Sequence, residues 1–366
     1  MTTASAKIRC GVIGAGWWAA YAHIPSLLEH PDADLIAVQS HRLEDARRVA
    51  QDFGIPRAYA SVEELLSHER LDAVVVASSP NLHYEYARDA LGKGLHVLVE
   101  KPMTMTAEEA RELVSLADQR GKQLLVSCPW HYTRHGREAR ELILSGRLGE
   151  IRMISALMTN PVDHLIRGTS TQPTHGAQPT HGKPYSEPQA GTYSDPRIAG
   201  GGQIYAQVSH AAAYLTFLTG ARPAQVFSRF HQDGSQMDIY DALSVELENG
   251  CLVSLASTGA TPLSRRDYEV RVYGTQGVLF LELWRGCMKY IPFHEGGETA
   301  FPDLSPDEIY PDRAPARNLV DCARNAGDNL SPGALGLAAM EVIDAACASA
   351  RCGENVVIRP VRERLQ

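Results

Sequence analysis

The sequence predicts an α/β chain in two parts: a doubly wound parallel sheet over residues 1–127, then an α+β domain over 128–366 with a large, mainly antiparallel sheet. Three observations carry this. Short apolar runs alternate with helix-like segments through the first third, as expected of parallel strands covered on both faces. A glycine-rich turn joins the first run to the first helix. After Cys128 the rhythm changes to strand-like runs separated by hairpin signals.

In the first part the strand candidates are 8–13, 35–39, 73–77, 95–99 and 124–127, each short and rich in Val, Ile and Leu. Helix starts are visible between them. Ser61 with Glu64 and Thr106 with Glu109 have capping-box spacing, and Gly121 marks a helix end. A helix over 17–29 follows the first strand. The second part opens with a helix over 137–145. Strands are predicted over 151–158, 224–230, 241–247, 252–257, 268–273 and 277–283. Helices near 208–218 and 334–350 cover one face of that sheet, and its open face predicts a homo-oligomer.

The stretch 161–200 breaks the pattern. It is rich in Pro, Gly, Ser, Thr and His and reads as one long polar loop, either a lid or disordered. It holds a near-duplicate, Gln-Pro-Thr-His-Gly, with His175 and His181. Without a thiol or acidic cluster at ligand spacing, these histidines read as exposed loop residues, and no metal site is predicted.

Composition bounds the function. The chain has 366 residues, enough for two domains, with 44% hydrophobic and 21% charged residues. A net charge of −8 argues against nucleic acid as a partner. No apolar run is expected to reach the length of a membrane span, and 1–7 lacks the apolar core of a signal peptide. Seven scattered cysteines without a CxxC fit reduced thiols and a cytoplasmic location.

The turn contains G-x-G-x-x-A at Gly14, Gly16 and Ala19. Between a strand and a helix, this pattern points to dinucleotide binding. Gly14 permits the tight turn, Gly16 lets backbone approach a pyrophosphate, and Ala19 lets the helix pack close. Glu100-Lys101-Pro102 follows another strand, where an open parallel sheet meets its ligand crevice. By position alone Lys101 is either a proton-exchanging amine, its pKa lowered by partial burial, or a solvated loop lysine.

These motifs together resemble the Gfo/Idh/MocA oxidoreductases. The glycine turn, Ser79-Pro80-Asn81-Leu82-His83, the run from His96 to Pro102, Leu148-Gly149-Glu150-Ile151, Gly200-Gly201-Gly202 with His210, and Gly274-Thr275-Gln276-Gly277 occur in the family's order along nearly the whole chain. The resemblance implies an N-terminal Rossmann domain and a C-terminal substrate-binding and oligomerisation domain. It implies Lys101 as the proton-transfer residue, His210 as its partner and a cis bond before Pro102. It places Gly14, Gly16, Trp17, Trp18, Ser79, Pro80, Asn81, His83, Glu100, Lys101 and Pro102 against the cofactor. One departure stands out: the family's aspartate, four residues before His210, is Ala206 here. Either Lys101 and His210 suffice, or another polar group serves, with Gln207, Tyr205 and His131 as candidates. His131 and Tyr132 lie where related enzymes contact substrate, although a packed histidine fits His131 equally well.

The end of the second strand reads Gln39-Ser40-His41-Arg42, with no carboxylate for a ribose hydroxyl. Ser40, His41 and Arg42 therefore favour NADP, with NAD left open. One of Trp17 and Trp18 is expected on the nicotinamide side or against the second domain, the other in the core. The expected activity is NAD(P)-dependent oxidation or reduction of a sugar, glycoside (at C3) or cyclitol, with Lys101, His131, Tyr132, Gln207 and His210 against the substrate. The alternatives are a redox-neutral enzyme with tightly held NAD and a non-catalytic dinucleotide and sugar sensor.

Overall fold

The computed structural model describes residues 6–169, 190–294 and 297–359. Contacts divide the chain into two compact units. The first comprises Met1–Tyr132, Gly168–Gly200 and Pro311–Leu337; the second comprises Thr133–Arg167, Gly201–Tyr310 and Ala338–Gln366. The chain thus crosses between units more often than the single boundary expected after residue 127.

The first unit is built on a six-stranded sheet: β1 Ile8–Ile13, β2 Ala33–Gln39, β3 Arg57–Tyr59, β4 Ala73–Val76, β5 His96–Val99 and β6 Leu124–Val126. Their order is β3-β2-β1-β4-β5-β6 and every pairing is parallel. Connections turn back at β1, so the turns after β1 and β4 open at the switch point of the sheet. Thr106 and Glu109 form the expected capping box, and Gly121 ends that helix with φ 61°. The core packs Val12, Val38, Val75 and Leu98 with Ala316, Leu319 and Val320. The last three lie on a helix, Ala314–Ala323, that was not expected from the sequence.

The second unit holds a nine-stranded sheet. Its additional strands are β7 Ile151–Thr159, β8 Pro223–His231, β9 Tyr240–Leu247, β10 Leu252–Thr258, β11 Asp267–Gly274, β12 Gly277–Glu282, β13 Cys287–Pro292, β14 Thr299–Ala300 and β15 Val356–Val357. The order is β14-β13-β12-β11-β7-β10-β9-β8-β15. Only β7 and β10 pair in parallel. Alternate residues point inward, as Leu243, Val245 and Leu247 do on β9. Two of the sequence motifs meet here. Gln276 N–H donates to Leu148 O (2.9 Å), and Thr275 N–H to Glu150 O (3.0 Å).

Two further expectations differ from the structure. Within 161–200, Asp163–Ile166, Ala190–Ser194 and Pro196–Ala199 are short helices rather than loop. The repeat over 172–183, with His175 and His181, lies outside the described residues. The helix Gly333–Cys352 is long and apolar enough to cross a membrane, contrary to the expectation that no such run exists. Its Ala339, Met340, Ile343 and Ala346 are buried, as in the core helix of a globular unit.

Candidate active site

In the first unit the glycine turn leaves β1 at Gly14, whose φ is 99°. A Cβ there would sit 2.5 Å from Ala77 O, so no other residue fits without moving the β4 end. At Gly16 nothing lies within 4 Å of where a Cβ would project. This open glycine cradle at a helix start suits a pyrophosphate. Beyond it the chain winds first as a wide π-turn, Ala19–His23, and then as α-helix, Ile24–Glu29.

That wide turn aims two side chains across the sheet. Trp18 Nε1–H donates to Glu100 Oε1 (2.8 Å), and His23 Nε2–H donates to the same oxygen (2.8 Å). The other oxygen, Oε2, accepts the Lys101 backbone N–H (3.1 Å). Burial disfavours the Glu100 charge. The bonds and charge of His23, with help from Ser127 and Lys101, outweigh it and hold the carboxyl down at about 2. Lys101 is half-buried, and its amine is pushed below the ordinary lysine value by burial, against the pull of Glu100 and Cys128. The Lys101–Pro102 bond is cis. Trp17 reaches another partner: its indole N–H meets the Tyr193 hydroxyl, whose pKa burial and the Glu100 charge push up to about 12.

Other residues after the strands have inward duties. His83 is 1% exposed. Its Nδ1 faces Pro102 O (2.8 Å) and its Nε2 faces Ser78 O (3.1 Å). It ties two turns together. His131 is fully buried. Ser331 Oγ gives its one proton to Val126 O (2.6 Å), so it accepts from His131 Nδ1–H (2.9 Å). This fixes the tautomer and holds the ring in place from its Nδ1 side. The Tyr132 hydroxyl donates to Asn318 Oδ1 (3.3 Å). Ser40 is nearly buried and His41 is exposed. Arg42 is exposed and pairs with Asp45 (2.6 Å). Ser79, Pro80 and Asn81 lie at the β4 end, the latter two on a 3-10 turn, Pro80–Leu82.

In the second unit Asp238 organises the triple glycine. Its Oδ1 accepts from Gly202 N–H (3.0 Å), its Oδ2 from Ile204 N–H (2.6 Å) and its carbonyl from Gln203 N–H (3.0 Å). A Cβ on Gly202 would lie 2.0 Å from that carbonyl oxygen. The chain then enters a π-turn, Ile204–Val208, and the helix Ser209–Thr219, which carries His210, 4% exposed. Beside Ala206, Gln207 Oε1 accepts from Asn160 Nδ2 (2.7 Å). Asp241 points inward from β9 among Leu243 and Val245. Burial, then the neighbouring Asp238 charge, push its carboxyl up to about 9. Between the ordinary value near 3.8 and about 9, the native state therefore keeps a proton that the unfolded chain releases. Its contribution to stability falls as pH rises through that window. Asp241→Asn, isosteric with the neutral acid, is expected to raise Tm at pH 8 and to change it little at pH 4, measured by scanning calorimetry.

Two family models match this chain: the oxidoreductase family with an NAD-binding Rossmann fold over residues 8–128, and the GFO/IDH/MocA C-terminal domain over 137–280. An uncharacterized oxidoreductase of Synechocystis sp. is 31% identical over 293 residues, covering 76% of this chain and 72% of that one. The chain belongs to the Gfo/Idh/MocA oxidoreductases.

Some relatives of this Gfo/Idh/MocA chain act on sugars. The D-glucoside 3-dehydrogenase of Escherichia coli is 34% identical over 152 residues, 42% of this chain and 43% of that enzyme. The structure of a levoglucosan dehydrogenase with NADH and levoglucosan shares the fold, with a TM-score of 0.78 at 17% identity, covering 97% and 100% of the two chains. Within this Gfo/Idh/MocA framework, sequence reasoning missed His23, Tyr193, Asp238 and Asp241. Only Asp241 carried a readable signal: a carboxylate at the inward parity of an alternating strand.

Proposed function

We propose that this oxidoreductase is an NAD(P)-dependent dehydrogenase or reductase acting on a secondary hydroxyl or ketone of a sugar, a glycoside (at C3) or a cyclitol. The carrying observation is Lys101: a half-buried amine with a lowered pKa, just past β5 on the edge where the glycine turn opens. When bound, the nicotinamide ring takes or returns the hydride. Unprotonated Lys101 Nζ takes the substrate hydroxyl proton as the carbonyl forms, and gives it back in reduction. The family resemblance makes His210, on the helix Ser209–Thr219, the expected partner in proton transfer. Gln207, held by Asn160, supplies a neutral amide beside Ala206 where the family carries an acid. The glucoside 3-dehydrogenase relative supports the substrate class and the C3 position.

A screen of sugars and glycosides with both cofactors, followed at the reduced-nicotinamide band, tests the reading. Substrate-dependent absorbance change supports it. Turnover of substrate with no net nicotinamide signal overturns it in favour of a redox-neutral cycle. The NADP preference rests on Arg42, exposed just past β2 and paired with Asp45, where the strand end Gln39-Ser40-His41 carries no acid of its own. Arg42→Ala is expected to weaken NADP binding by about tenfold, the loss of one charge-assisted hydrogen bond, and to leave NAD binding unchanged by calorimetric titration. Equal losses for both cofactors overturn the preference.

A further inference from the structure

The two tryptophans of the glycine turn are large for a place where backbone must approach a ligand. Their indole N–H groups explain one of them. Trp18 and His23 leave the segment after β1, while Glu100 follows β5, and β4 lies between these strands in the sheet. The two rings therefore span a strand to reach one carboxylate oxygen, each at 2.8 Å. Glu100 is 9% exposed. A buried carboxylate with two N–H donors on one oxygen and a backbone N–H on the other is fixed in place and stays ionised. The third donor is the backbone of Lys101 itself (3.1 Å). The same anion thus holds the chain that carries the amine and is the strongest charge acting on it.

We propose that Trp18 and His23 clamp Glu100 as a fixed anion beside Lys101, so that all three are positioning residues that set the protonation of the Lys101 amine. This rests on the reading of Lys101 as the proton acceptor. Several groups bear on the pair. Glu100 and Cys128 face the amine. His23, Ser127 and Lys101 face Glu100, whose charge also reaches His83, Cys128 and Tyr193. Asp312 lies beside His23. Burial drives the amine toward its neutral form, and Glu100 opposes this. Removing the anion therefore lets the amine lose its proton at still lower pH. Loosening the clamp acts in the same direction, because a freed Glu100 takes up a proton or turns away.

The test is the titration of the Lys101 amine itself, which needs no substrate. Trace acetylation with acetic anhydride across a pH series, read on the Lys101 peptide by mass spectrometry, gives its midpoint in the full chain with and without NAD. Glu100→Gln is expected to lower the midpoint by about one unit or more, the size of one nearby charge. His23→Ala and Trp18→Phe shift it the same way by less. His23→Gln, whose amide still donates, stays near the wild type. A merely structural clamp leaves every midpoint in place, and an unmoved midpoint in Glu100→Gln overturns the proposal. If Glu100→Gln does not fold by circular dichroism, Trp18→Phe and His23→Ala against His23→Gln decide it, and equal midpoints in those three overturn the proposal. The two readings fail separately: a Lys101→Ala variant that keeps turnover removes the acceptor role, whatever the midpoints show.

Discussion

Lys101→Ala is expected to lower kcat by about 10²–10⁴-fold, the usual worth of one positioned acid–base group, while dinucleotide affinity stays nearly unchanged. The separation follows from the topology. The phosphate cradle belongs to the turn after β1, built on Gly14 and Gly16, whereas Lys101 follows β5. The sign of the pH dependence is also fixed. In oxidation the amine must be neutral, so the rate rises with pH through its pKa. Burial places that limb below the ordinary lysine range. Steady-state kinetics on the best substrate from the screen, paired with titration of NADH fluorescence, checks both halves. Near-wild-type turnover removes Lys101 from the chemistry, and loss of dinucleotide binding assigns it a different task.

The second large effect is expected at Asp238. Asp238→Ala strips the acceptors from Gly202 N–H and Ile204 N–H in a buried setting. Each orphaned donor costs about 1–3 kcal/mol, giving roughly 2–6 kcal/mol in total. At about 2–4 °C per kcal/mol, the melting temperature falls by roughly 4–24 °C. These donors precede the π-turn Ile204–Val208 that leads into the helix bearing His210, so turnover is expected to fall with them if His210 serves as proposed. Asp238→Asn keeps one acceptor oxygen and is expected to recover part of the loss. A melting temperature unchanged in Asp238→Ala shows that the glycine segment holds its course by packing alone.

Much of the fold was legible because it is written locally. β1, β2, β4, β5 and β6 are short apolar runs, and their helices carry caps such as Thr106 with Glu109. β3 escaped because Arg57–Tyr59 is three residues with no apolar run. The helix Ala314–Ala323 escaped because its apolar face gains meaning only against strands some two hundred residues earlier or more. The site divides in the same way. Gly14, Gly16 and Lys101 stand in short motifs that name their place. The partners that govern them do not: His23 and Trp18 meet Glu100 across 77 and 82 residues, and His131 meets Ser331 across 200. Pattern shows which residues are present, and only the folded sheet shows which of them touch.

The late helix has a consequence for how this protein is made. Ala316, Leu319 and Val320 complete the apolar layer against Val38 and Val75, yet they follow those strands by some two hundred residues or more. A ribosome that has released the first 132 residues has exposed a nucleotide-binding sheet with part of its greasy flank uncovered. Shortened forms ending there are expected to be sticky and to recover solubility when the 311–337 segment is supplied in trans or fused back.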